Sequence, residues 1–343
     1  MRDHQVSVLL RKKPPTEAEA DLSKVRAGRD LSFLDLVSID QVTLPDLEVL
    51  FDVARRFRDY KTYKFSFNKG YSQVNAFFEP STRTSSSFDL AAKQLSMDTA
   101  GISSSNSTQK GESYLDTIET IDAYNIKIMI IRSKESGVPA MAARVANASI
   151  INAGDGWHEH PTQALLDALT MLDEVKSSDL KDRVVVIVGD IAHSRVFGSL
   201  VRILKKLGAT VRVSAPLTLI PEQVEHFGVS VHTNIEEALS GADIIYALRV
   251  QEERGASGFI PTLREYSKTF GISEKRLALA KPDAILMHPG PVIRDIDMHS
   301  ALVSRHPRSR VLAQVENGMA VRKALLWLMV DRIDGLTKER HLE

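Results

Sequence analysis

Phe77-Phe78-Glu79-Pro80-Ser81-Thr82-Arg83-Thr84 gathers three hydroxyls and a guanidinium within four consecutive residues. The segment Asn75 to Phe78 reads as a short strand before it, and the pattern from Ser85 to Leu95 predicts a helix after it. At such a junction, free backbone N–H groups and the helix dipole favour an anion. Ser81, Thr82 and Thr84 add hydroxyl donors, and Arg83 adds a fork that holds two phosphate oxygens at once. The octapeptide therefore describes a phosphate cradle. Ser81 as a simple N-cap beside a surface Arg83 is the plainer reading of the same residues.

Asp155-Gly156-Trp157-His158-Glu159-His160-Pro161-Thr162-Gln163 offers a second junction between a predicted strand, Ser149 to Ala153, and a predicted helix, Thr162 to Val175. It carries an imidazole, His160, and an amide, Gln163, both able to donate to a carbonyl oxygen and polarise it. A metal reading of His158 and His160 lacks support, because the chain has no Cys and no nearby pattern completes a ligand set. Arg132 follows the predicted strand Lys127 to Ile131, at the carboxyl edge where ligands of open α/β sheets collect.

Further along, Val184 to Val188 runs into Gly189-Asp190-Ile191-Ala192-His193-Ser194-Arg195. One Gly cannot make the G-x-G-x-x-G turn, which argues against a nicotinamide site; Arg195 instead looks like a carboxylate ligand. Arg249 and Gln251 follow another predicted strand, Ile244 to Leu248. His288-Pro289-Gly290-Pro291 makes a rigid turn after Ala284 to Met287, and Gly290-Pro291 is a bond at which the cis form is cheap. The polar loop Gly101 to Glu112 is not an ATP-binding P-loop, since Lys110 precedes Gly111 instead of following a Gly.

The elements that must position these residues alternate along the chain. Helical spacing at Asp46 to Phe57 precedes the first strand, and Met141 to Ala146, Phe197 to Leu207 and Met319 to Val330 read as further helices, with Thr210 to Ser214 another strand. The fold class is α/β, with two domains, each a parallel sheet flanked by helices, joined by interdomain helices. Residues 1 to 33 read as a poorly ordered arm, 34 to 172 as the first domain, 173 to 318 as the second, and 319 to 343 as a helix returning to the first domain. The 343 residues balance 44 Lys plus Arg against 44 Asp plus Glu, so no overall field draws the chain to nucleic acid or a membrane, and any anion site is local. Zero Cys suits a reducing compartment, and no apolar run approaches membrane-spanning length, which together predict a soluble cytoplasmic protein.

Residues 77 to 84 match every fixed position of the transcarbamoylase signature: Phe, any residue, Glu or Lys, any residue, Ser, Thr or Gly, Arg, Thr. The chain resembles that family from about residue 34 to about residue 330, with several motifs in family order. His160-Pro161-Thr162-Gln163-Ala164-Leu165-Leu166-Asp167 is similar to its aspartate-specific branch, whereas ornithine enzymes carry Cys at the third position. Arg249-Val250-Gln251 resembles the Arg-x-Gln that grips aspartate in that branch.

The resemblance implies transfer of the carbamoyl group of carbamoyl phosphate to L-aspartate in pyrimidine (UMP) synthesis, without metal or organic cofactor. It implies that Arg132 meets the carbonyl and phosphate oxygens, and that Gly290 and Pro291 belong to a turn offering backbone carbonyls to the reactants' NH groups. It also implies a homotrimer in which Lys110, within Lys110-Gly111-Glu112, reaches a neighbouring copy's site, with Ser105 or Ser107 as the accompanying Ser. Carbamoyl phosphate is expected at Ser81, Thr82, Arg83, Thr84, Arg132, His160 and Gln163. Aspartate is expected at Lys110, Arg195, Arg249 and Gln251, with Arg83, Thr84, Lys110, Arg132 and His160 acting in catalysis. A transcarbamoylase for another amino acid and a non-catalytic scaffold remain the alternatives, and a dihydroorotase or regulatory chain as further partner stays open.

Overall fold

Ile128 and Ile130 pack into one apolar cluster while Met129 and Ile131 pack into another, the period-two signature of a strand buried on both faces. The computed structural model describes residues 15–26, 29–103, 112–251, 260 and 262–340. Strands β1 (Ser72–Phe77), β2 (Asp98–Ser103), β3 (Ile128–Ser133) and β4 (Ser149–Asp155) form a parallel sheet in the order β2-β1-β3-β4. The second sheet, also parallel, contains β5 (Val184–Val188), β6 (Thr210–Ser214), β7 (Ser230–His232), β8 (Ile244–Ala247) and β9 (Ile285–Met287) in the order β7-β6-β5-β8-β9. The chain leaves β1 toward β2 on one side and β3 lies on the other, and β5 is flanked likewise by β6 and β8. Each sheet thus has a switch point where a crevice opens at the carboxyl ends of its strands.

The helices are α1 (Pro15–Arg26), α2 (Leu44–Asp59), α3 (Thr82–Gln94), α4 (Tyr114–Asp122), α5 (Val138–Val145), α6 (Pro161–Val175), α7 (Arg195–Lys206), α8 (Ile235–Leu239), α9 (Leu263–Phe270), α10 (Glu274–Leu277) and α11 (Val311–Arg340). Two α/β domains result, linked by α6 and α11: α6 packs on α7 of the second domain, and α11 packs on α2, α3 and α6. Helix α2 starts at a capping box between Thr43 and Asp46 and buries Leu47, Leu50, Phe51, Ala54 and Phe57. Among the described residues, no helix is long and apolar enough to cross a membrane.

Three differences from the sequence reading have physical causes. Part of the segment read as a poorly ordered arm is helix α1, which buries Ala18 and Leu22 and is tied down by Tyr60 Oη donating to Asp21 (3.0 Å) and the Ser66 amide donating to Glu19 (2.8 Å). Its two buried side chains lie one turn apart among charges, so the apolar period was too sparse to see. Gly101 to Ser103, read as loop, belong to β2, an edge strand whose polar sequence suits its position. The closing helix begins at Val311, not Met319.

Candidate active site

Every cleft segment named from sequence and described here lies at or just beyond the carboxyl end of a parallel strand: Glu79–Thr84 after β1, Arg132 within the last two residues of β3 and not after it, His160 after β4, Arg195 after β5, Arg249 after β8 and His288–Pro291 after β9. They line one cavity of about 660 Å³. Three helices, α3, α6 and α7, point their N-termini into it through Ser81, His160 and Ser194, and none of these three N-cap side chains bonds its own helix. Helices α2, α4 and α9, by contrast, are capped by Thr43, Ser113 and Thr262 side chains. Ser81 stands at the N-cap of α3 without a side-chain bond to the helix, so its hydroxyl does not satisfy the first N–H groups of α3.

The guanidinium groups of Arg83, Arg132, Arg195 and Arg249 converge on the same space from both domains. Burial, and then the nearby Arg249 cation, lower the Arg83 guanidinium below its ordinary value. Two glycines let the arginines lie flat against backbone. Gly154 (φ +114°) would place a side-chain carbon 2.8 Å from Arg195 Cδ, and at Gly290 (φ +66°) the space is filled by Arg83 Nη1. The Gly290–Pro291 bond is cis.

Glu79 connects the domains. It accepts Arg195 Nη2 at 2.6 Å and Arg132 Nη2 at 3.3 Å, and Arg195 Nη1 also donates to the Ser133 carbonyl (3.4 Å). Arg195, expected as a carboxylate ligand, is 3 % exposed and already holds a carboxylate of the first domain. Arg249 and Gln251 are steadied from behind: the Val250 amide donates to Asp297 (3.3 Å) and the Gln251 amide to Asp190 (3.1 Å). Asp190 also meets His193 Nδ1 (2.9 Å). His288 accepts the Gly290 amide at Nδ1 (2.8 Å), and its Nε2 lies 3.1 Å from Asp297, so the turn is braced by a buried pair.

Gln163 departs from its expected role as a donor. Its Nε2 donates to Asp167 (3.0 Å), which turns the amide oxygen into the group left for a ligand. Asp167 is fully buried and also accepts Tyr246 Oη (2.6 Å) and Gln314 Nε2 (2.7 Å); burial pushes its carboxyl up to about 7 against those hydrogen bonds. Arg322, from α11, lies over the Phe88 ring at 5.1 Å, and burial lowers its guanidinium to about 10.

The cleft brings together Ser81, Thr82, Arg83, Thr84, Arg132, His160, Gln163, Arg195, Arg249, Gln251, Gly290 and Pro291. Lys110, Ser105 and Ser107 lie outside the described residues. The bridging Glu79, Ser194 at its helix start, Asp167 and Arg322 were missed. For Asp167 a signal existed, since residues 163 and 167 stand one helical turn apart and share a face. Glu79 was in view within the signature, but nothing local reveals a partner 116 residues away.

Fold and site together define a two-domain α/β protein with an arginine-rich cleft between its domains. A family model described as "Aspartate/ornithine carbamoyltransferase, carbamoyl-P binding domain" matches residues 34–173, and one described as "Aspartate/ornithine carbamoyltransferase, Asp/Orn binding domain" matches residues 181–329. The chain belongs to the aspartate/ornithine carbamoyltransferase family. It is 45% identical over 305 residues to the aspartate carbamoyltransferase catalytic subunit of Acetivibrio thermocellus, covering 88% of this chain and 97% of that one. It is 46% identical over 302 residues to the corresponding subunit of Sorangium cellulosum, covering 86% and 92%. The crystal structure of Trypanosoma cruzi aspartate transcarbamoylase in complex with carbamoyl phosphate superposes with a TM-score of 0.75 at 31% identity, covering 85% and 95%.

Proposed function

We propose that the chain transfers the carbamoyl group of carbamoyl phosphate to the amine of L-aspartate, giving N-carbamoyl-L-aspartate and phosphate in pyrimidine biosynthesis. The observation that carries this reading is the convergence of four guanidiniums from two domains on one cleft entered by three uncapped helix starts. Both substrates are anions, so a chain of zero net charge must concentrate its cations where they meet. The phosphate sits at Ser81, Thr82, Arg83 and Thr84, with Arg132 between phosphate and carbonyl. His160, Arg132 and Thr84 face the carbonyl oxygen. The Gln163 oxygen and the turn carrying Gly290 and Pro291 accept from the carbamoyl NH₂. Arg249, Gln251 and the Glu79-bound Arg195 take the carboxylates of aspartate.

The amine lone pair attacks the carbamoyl carbon, a C–N bond forms, and the carbonyl oxygen becomes an oxyanion stabilised by fixed donors. The C–O bond to phosphate then breaks, and the departing phosphate takes the amine proton. No protein nucleophile is needed; the two domains contribute positioning and charge. Three copies assemble so that Lys110 of one reaches the cleft of the next. The deciding experiment is an assay of ureido product from carbamoyl phosphate with aspartate and, separately, with ornithine. Product with aspartate alone is expected; product with ornithine alone, or with neither, overturns the reading.

A further inference from the structure

The cleft's carbamoyl end is organised from behind by one carboxylate. Asp167, on α6, is 0 % exposed, and its two oxygens accept three hydrogen bonds from three elements. Gln163 Nε2, one turn earlier on α6, and Gln314 Nε2, on α11, both donate to Oδ1, at 3.0 and 2.7 Å. Tyr246 Oη, on β8 of the second sheet, donates to Oδ2 at 2.6 Å. A carboxamide has one donating and one accepting end, so fixing one end fixes the other. Gln314 spends its oxygen on the His288 amide at 2.9 Å, the residue that starts the His288–Pro291 turn. Gln163 has its nitrogen turned to Asp167 and lines the cleft.

We propose that Asp167 is a positioning residue for carbamoyl transfer. Through Gln163 directly, and through Gln314 to the 288–291 turn, it orients both acceptors of the carbamoyl NH₂ group, and Tyr246 registers that arrangement to the second domain. The inference rests on the carbamoyl-transfer reading above. It predicts a selective defect: carbamoyl phosphate has the NH₂ group that these acceptors recognise, and the product phosphate does not.

The test measures, on the full-length chain at saturating aspartate, the KM for carbamoyl phosphate and the inhibition constant of inorganic phosphate. Asp167→Leu keeps the branched four-atom shape, with bulkier methyl groups in place of the oxygens, and removes the acceptor. It should raise the KM about tenfold, the scale of one lost hydrogen bond in a buried site, with phosphate inhibition changed less than twofold. Asp167→Asn retains an oxygen for both amide nitrogens and should return the KM to within about threefold of the unmodified chain. Combined with Gln163→Ala, Asp167→Leu should add less than the product of the two separate effects. An unchanged KM in a folded Asp167→Leu variant, equal worsening of KM and phosphate inhibition, or full additivity each overturns the proposal. If Asp167→Leu does not fold, Tyr246→Phe provides the same split at about threefold, and a folded Tyr246→Phe without it is equally fatal. Gln163→Ala alone leaving the KM unchanged would identify the fault as the placement of the carbamoyl group, and the proposal falls with it.

Discussion

Arginine in this protein acts by where its fork is held. Arg195 is locked to Glu79 across the domains, whereas Arg249 stands on a segment whose amides are pinned by Asp297 and Asp190. Truncating Arg249 should therefore leave the cleft's shape intact and remove one charge-assisted contact. Arg249→Ala is expected to raise the KM for aspartate about 10- to 100-fold while the KM for carbamoyl phosphate moves less than threefold; steady-state kinetics with each substrate varied in turn checks this, and an unmoved aspartate KM removes Arg249 from the site. At this scale the sequence was legible where a residue's role follows from its neighbours. Ser81, Thr82, Arg83 and Thr84, singled out for their place between a strand and a helix, do line the cleft. The Gln163 orientation and the Glu79 bridge were illegible, because each depends on a tertiary partner.

Helices α2, α4 and α9 start at side-chain caps, and α2 shows how much rests on one carboxylate. Asp46 is 2 % exposed and accepts the Ser32 amide (2.7 Å) and hydroxyl (2.7 Å), and the Thr43 amide (2.8 Å) and hydroxyl (2.6 Å). Burial alone would raise its carboxyl, but these hydrogen bonds outweigh it and hold the group below the ordinary aspartate value. A carboxyl depressed in the folded state stabilises fully above its unfolded pKa and loses that contribution as pH falls through the folded value. Asp46→Asn should cost about 2 kcal/mol at pH 7, with the difference from the unmodified chain shrinking in acid; urea unfolding across pH reads both, and a cost independent of pH would contradict the assignment. Strands and long helices were readable from their period, while α1, with its few buried positions, and the polar edge strand β2 were not.

The whole molecule is two sheets whose switch points face each other, fastened by α6, α11 and buried polar ties. Besides Glu79, the fully buried Glu159 accepts the Ile39 amide (3.0 Å) from the first domain and the Ser199 hydroxyl (2.7 Å) from α7 of the second. Breaking one partner of such a buried set leaves an uncompensated charge, so these ties resist separation of the two domains. With the proposed trimer, light scattering of the purified protein should return about three times the 38.0 kDa chain mass; a monomeric mass in an active sample would rule out sharing of the Lys110 loop. The central claim, that cations of both domains hold two anions face to face, is tested most directly by a crystal structure with inorganic phosphate and succinate, an unreactive dicarboxylate. The account predicts phosphate on the Ser81–Thr84 helix start beside Arg132, and succinate across the cleft on Arg195, Arg249 and Gln251. Both anions on one domain, or either outside the cleft, would contradict it.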